Sequence, residues 1–111
     1  MYDFQYHRPG SVADAAAALS GAAEGIYLAG GQTLIPTLKQ RLGSPSDLVD
    51  LGRIADLKGI TAGGGGVTIG AMTTHAEVAA SADVQGAIPA LAALAGDIGD
   101  PQVRNAGTLG G

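Results

Sequence analysis

The chain has 111 residues, no cysteine and a formal charge of −4 from six basic and ten acidic side chains. That length suits a domain able to bury a real core, and without cysteine the chain itself can form neither a disulfide framework nor a thiolate-held iron–sulfur cluster. Mild acidity and scattered basic residues argue against nucleic acid, and with neither a membrane-length apolar run nor a secretion signal the expected location is cytoplasmic.

Phe4-Gln5-Tyr6 alternates as a short edge strand would, and Pro9-Gly10 ends it. Ser11 opens a helix with Asp14 three residues on, a variant of the capping box. Val12, Ala15, Ala16 and Leu19 share one face of that helix, and Gly21 stops it. Ile26-Tyr27-Leu28-Ala29 is fully apolar, as a buried strand would be. After the turn Ala29-Gly30-Gly31-Gln32-Thr33, a second helix is marked by Leu34, Ile35, Leu38 and Leu42. Thr33 is placed to cap it, and Pro36 falls in its first turn, where the N–H groups lack partners anyway. Gly43-Ser44-Pro45 closes that helix, and Asp47 to Leu51 alternates as a strand.

Gly59 to Thr61 and Val67 to Ala71 predict two strands joined through Gly63 to Gly66, a hairpin signal. Thr74-His75-Ala76-Glu77 is a capping box for a short helix through Ala80. A last helix is expected from Val84 to Gly96, with Ile88, Leu91, Leu94 or Ala95, and Ile98 inward. Gly99-Asp100-Pro101 ends it, with an extended or looped remainder. The fold class is α/β (α+β). A strand-helix-strand-helix-strand unit covers residues 1–57, and the start of a second α+β unit covers 58–111.

Two glycine-rich turns carry the candidate chemistry. Turns without side chains let backbone N–H groups approach an anion, and a following helix adds the positive end of its dipole. In the first turn Gly30 and Gly31 can take positive φ, and Gln32 and Thr33 add side-chain donors. The residues alone leave two readings open, an anion cradle or a plain strand-to-helix turn. It is neither a P-loop nor the spaced Rossmann pattern. The second turn, Thr108-Leu109-Gly110-Gly111, is donor-rich but resembles many loops. His75 suits a helix-end role, Thr73 and Thr74 suit caps, and Asp47 and Asp50 flank a strand without a visible catalytic partner. No nucleophilic triad, paired-carboxylate set or metal site can be read from the sequence.

Taken in order, several motifs resemble one family. They are Phe4, Tyr6, Pro9 and Ser11, then Ala29 to Pro36, Lys39 to Leu42, Leu48 to Leu51, Thr68 to His75, and Ile98 to Gly111. Together they resemble the FAD-binding medium subunit of molybdenum hydroxylases, most closely the carbon monoxide dehydrogenase medium chain, related to the xanthine dehydrogenase flavin domain. The resemblance implies a vanillyl-alcohol-oxidase-like fold whose two turns hold the FAD pyrophosphate. The cofactor-binding positions it implies are Ala29, Gly30, Gly31, Gln32 and Thr33 in one loop and Thr108, Gly110 and Gly111 in the other, with Leu28, Leu34 and Gly99 as neighbours. It also implies two partners, a molybdopterin-bearing large subunit that oxidises substrate and a small subunit with two 2Fe–2S clusters that feeds electrons to FAD. Because family members are longer, the chain is expected to be a fragment that binds FAD weakly or not at all by itself. An assembly-only docking or remnant domain is the alternative, and an unrelated nucleotide-phosphate binder a third.

Overall fold

A computed structural model describes residues 1–111, which divide into two compact units, Met1–Asp56 and Leu57–Gly111. The first unit holds strands β1 (Gln5–His7), β2 (Gly25–Leu28) and β3 (Asp47–Asp50), with helices α1 (Val12–Ser20) and α2 (Leu34–Lys39) between them. Its sheet is wholly parallel in the order β1-β3-β2, with Tyr6 and Ile26 both in register with Leu48. Being central, β3 has two flanking strands, and Leu48 and Val49 are buried. α1 packs on β2 and β3 and contributes Ala15, while Leu38 and Ile54 complete the buried apolar set of this unit.

Three expectations for this unit are corrected. β2 is an edge strand, with Ile26 and Tyr27 each 41% exposed, so its apolar run does not mark a buried strand. On α1, Val12 and Ala16 face solvent while Ala15 is buried and Ala18 and Leu19 are half-buried. α2 ends at Lys39 rather than running to Leu42, because Arg41 turns into the left-handed region at φ 56°. Arg41 N–H then bonds Leu38 C=O and Leu42 N–H bonds Thr37 C=O, a Schellman-type ending that leaves Leu42 73% exposed. Arg41 also lies over the Tyr2 ring, 5.1 Å from its centroid.

Ala55–Leu57 forms a short 3-10 turn at the division. In the second unit, β4 (Ile60–Gly63) and β5 (Gly66–Ile69) form an antiparallel hairpin. Its two-residue loop is Gly64-Gly65, with φ 59° and 79°, the doubly positive backbone of a type I′ turn. Four helices follow: α3 (His75–Ala80), α4 (Ala82–Ala87), α5 (Pro89–Asp97) and α6 (Pro101–Ala106). Val78, Val84, Ala92 and Ala95 form the core, with Ile60, Val67, Ile69, Ala79 and Leu91 packed against it.

The single helix expected from Val84 to Gly96 is two helices, because Pro89 cannot donate within a continuing helix and instead starts α5. Ile88 and Leu94 are consequently exposed, and Ala92 and Ala95 take the buried positions. The looped remainder after Pro101 is in fact α6. Asp100 caps it, Oδ1 accepting Val103 N–H at 2.9 Å, and Pro101 occupies its first position.

Candidate functional site

Leu28 ends β2, and the turn from Ala29 to Thr33 carries the chain into α2. Of its two glycines only Gly31 has positive φ, at 76°. A Cβ there would lie 2.6 Å from Ile35 Cδ1 and 3.4 Å from Leu28 Cδ1, so a side chain would push the Ile35 side chain aside and would also have to adopt the left-handed backbone. Thr33 holds the N-cap position but makes no side-chain cap; its C=O accepts Thr37 N–H and the Thr37 hydroxyl instead. Gly31 C=O likewise accepts Ile35 N–H at 3.1 Å. The turn's hydrogen bonds thus run through its carbonyls, and none of the amides of residues 30 to 33 donates to a protein acceptor. Acceptor-free N–H groups on a backbone bearing little side chain fit a phosphate. With six residues, α2 adds only a short dipole to them.

The central strand anchors this turn. Leu51 N–H, just past β3, donates to Leu28 C=O at 2.9 Å. Asp50 Oδ1 accepts Gly52 N–H at 2.8 Å, while its other oxygen receives the Tyr6 hydroxyl and lies 3.8 Å from Arg8 Nε. The bond to Asp50 raises the Tyr6 hydroxyl above its ordinary pKa, assisted by desolvation. At the other end of β3, His7 Nε2 lies 2.6 Å from Asp47 Oδ2, and the hydrogen bonds from His7 and Ser46 hold Asp47 below its ordinary value. The two aspartates therefore tie β1 to β3.

The second turn is organised differently. Leu109 N–H donates to Thr73 C=O, Gly110 N–H to Ala71 C=O and Gly111 N–H to Thr108 C=O, at 2.8 to 3.2 Å. The Thr108 hydroxyl donates to Gly111 C=O, and His75 N–H to Gly107 C=O, closing a bridge between Thr74 and Thr108. A turn expected to be rich in free donors has its amides at 109 to 111 engaged inside the chain. Gly99 lies at the opposite end of α6, so helix of roughly 9 Å separates it from Thr108.

The capping box is present. Thr74 Oγ1 accepts Glu77 N–H, while Glu77 Oε1 receives the Thr74 N–H and hydroxyl. Thr73 is not a cap; it is fully buried and its hydroxyl bonds both N–H and C=O of Gly59. His75 starts α3, half-buried, with Nδ1 buried and unpartnered. No cluster of His, Cys, Asp or Glu could hold a metal, and no helix is long and apolar enough to cross a membrane. Sequence reasoning missed Arg104, whose guanidinium bonds the carbonyls of Ile98 and Gly99. The Asp100-Pro101 pair, a helix-start signature, was the signal that could have found its helix.

Residues 2–111 match the family described as the FAD binding domain in molybdopterin dehydrogenase. The chain belongs to this family. It is 46% identical over 109 residues to the carbon monoxide dehydrogenase medium chain of Hydrogenophaga pseudoflava, covering 97% of this chain and 38% of that protein. It is 37% identical to the xanthine dehydrogenase FAD-binding subunit of Escherichia coli O157:H7, over 100% of this chain and 39% of the relative. Among solved structures, it superposes on carbon monoxide dehydrogenase from Hydrogenophaga pseudoflava with a TM-score of 0.96 at 45% identity, covering 99% of this chain and 39% of that one. For quinoline 2-oxidoreductase from Pseudomonas putida 86 the TM-score is 0.94 at 35% identity, covering 98% and 38%. The chain thus spans about two fifths of the length of the relatives it matches. These relatives are subunits of oxidoreductases, and the mixed α/β architecture is shared with them.

Proposed function

We propose that this chain provides the phosphate-binding portion of an FAD site in the medium subunit of a molybdenum hydroxylase, of the carbon monoxide or xanthine dehydrogenase kind. The observation that carries the reading is the first turn, where the amides of residues 30 to 33 lack protein acceptors beside a low-bulk backbone. In this reading Ala29, Gly30, Gly31, Gln32 and Thr33 bind the cofactor's phosphates, flanked by Leu28 and Leu34. Thr108, Gly110 and Gly111, with Gly99, add close backbone approach, the N–H groups of Gly110 and Gly111 being already engaged within the chain. When bound, FAD would accept electrons from iron–sulfur clusters of a small partner subunit and pass them to an external acceptor, substrate oxidation belonging to a molybdopterin-bearing large subunit. The chain's own residues bind and orient; none acts as acid, base or nucleophile.

Flavin fluorescence quenching on the purified chain tests this, with Gly30→Val as the variant. Gly30 lacks positive φ, so valine there blocks ligand approach without forcing a left-handed backbone, which a change at Gly31 would do. The expected result is weak, saturable FAD binding that Gly30→Val abolishes while the unfolding midpoint stays within a few degrees. Binding indifferent to Gly30→Val, or none up to millimolar FAD, overturns the proposal for this chain and favours an assembly role, leaving family membership intact.

A further inference from the structure

Arg104 stands in the last turn of α6, half-buried. Neither the His7–Asp47 nor the Arg8–Asp50 ion pair involves Arg104, whose guanidinium meets backbone carbonyls rather than a carboxylate. Its Nη1 donates to Gly99 C=O at 3.0 Å and to Ile98 C=O at 3.4 Å, immediately past α5. Gly99 is left-handed, with φ 53°, and a Cβ on it would fall 2.9 Å from both Cβ and Cγ1 of Val103. Asp100, next in line, binds the Val103 N–H. The α5–α6 corner is therefore held from both sides by one helix. Val103 packs against the corner, and the guanidinium grips its carbonyls.

We propose that Arg104 is a positioning residue for the cofactor site, acting through Gly99: it fixes the direction of the Gly99 carbonyl and the left-handed turn beside which FAD lies. The inference rests on the reading above, in which Gly99 neighbours the cofactor. A positively charged donor suits the task, because charge-assisted hydrogen bonds are roughly twice as strong as neutral ones. Capping the end of α5 alone would make the arginine a general stability element. A positioning role separates turn geometry from stability.

The full chain is compared as wild type, Arg104→Ala, Arg104→Lys and Asn105→Ala. Asn105 Nδ2 bonds Pro101 C=O at 2.7 Å on the same helix without touching Gly99, so its loss weakens α6 but not the turn. Arg104→Ala is expected to raise the FAD dissociation constant about tenfold, and Arg104→Lys to restore most of that. Asn105→Ala should lower the unfolding midpoint similarly yet leave affinity within twofold. In FAD-free protein, the Gly99 amide and carbon NMR shifts should move in Arg104→Ala and not in Asn105→Ala. Equal affinity losses in Arg104→Ala and Asn105→Ala, or unmoved Gly99 shifts in Arg104→Ala, overturn the proposal. Should wild type fail to bind FAD, the functional reading falls separately, and the Gly99 shifts alone decide whether Arg104 positions the turn.

Discussion

Gly110→Ala asks whether a glycine in the second turn is required by a ligand or by the protein. A Cβ at this position would sit 2.8 Å from Ala71 Cβ, 3.0 Å from Ala71 O and 3.2 Å from Ala71 Cα. Optimal carbon contacts lie near 3.5–4.0 Å, so the two segments must part by roughly an ångström. The obstacle is mostly backbone, which cannot rotate away. Overpacking of this kind costs about 2 kcal/mol, and separation weakens the 2.8 Å bond from Gly110 N–H to Ala71 C=O, about 1 kcal/mol more. The lower entropy of unfolded alanine returns about 0.7 kcal/mol, leaving a net loss of about 2 kcal/mol.

Urea unfolding of the FAD-free chain measures it, and a midpoint lower by about 1 M is expected for an ordinary urea dependence. Gly111→Ala provides the contrast. It meets open space, and its φ of 98° should cost only about 1 kcal/mol. If Gly110→Ala unfolds within about 0.5 kcal/mol of wild type, packing on Ala71 does not dictate this glycine and the reasoning fails.

The hairpin loop should accept Gly64→Asn with a gain of about 0.5 kcal/mol, since φ is 59°, nothing lies near the added side chain and asparagine tolerates this region; unchanged or lower thermal stability contradicts that. Asp47→Asn should flatten the acid limb of the stability curve. Because the folded carboxyl titrates below the ordinary Asp value of about 3.9, its contribution is complete above that pH and disappears as pH falls through the folded value. Parallel wild-type and variant curves between pH 5 and the acid transition would refute it. Thr74→Ala removes the acceptor for Glu77 N–H and one arm of the capping box, and circular dichroism melts should report a loss of about 1 kcal/mol.

Local chemistry made much of this fold readable. Ser11 accepts Asp14 N–H at 3.1 Å as expected of a cap, the Thr74–Glu77 box is formed, and the glycine run between β4 and β5 makes its hairpin. What the pattern misjudged depends on partners distant in sequence. The apolar residues of β2 have the character of a buried strand, yet which strand is central depends on sheet order, and β3 takes that place with the more polar sequence DLVD. Leu94 fits a core position by spacing and is 62% exposed, because Pro89 restarts the helix and the close α3–α5 packing admits alanines in its place. Arg41 in a left-handed position normally given to glycine has no sequence signature, since its stacking partner Tyr2 lies 39 residues earlier (41 − 2).

The two glycine turns are the sharper lesson for function. By composition, each turn holds two glycines and a threonine hydroxyl among its backbone amides. Donor count, however, depends on where each N–H points, and that is fixed by the elements on either side. After β2 the chain leaves an edge strand of a parallel sheet and starts a short helix, two places where amides have no partner by construction. After α6 it runs antiparallel to residues 71 to 74, where Thr73 and Ala71 accept the amides of Leu109 and Gly110, and Gly111 bonds back to Thr108. Similar glycine content therefore yields an open set of donors in one turn and a closed set in the other. The first can grip a phosphate through hydrogen bonds, whereas the other can only let one come near, so a binding defect from a backbone change should be far larger at 29–33 than at 108–111.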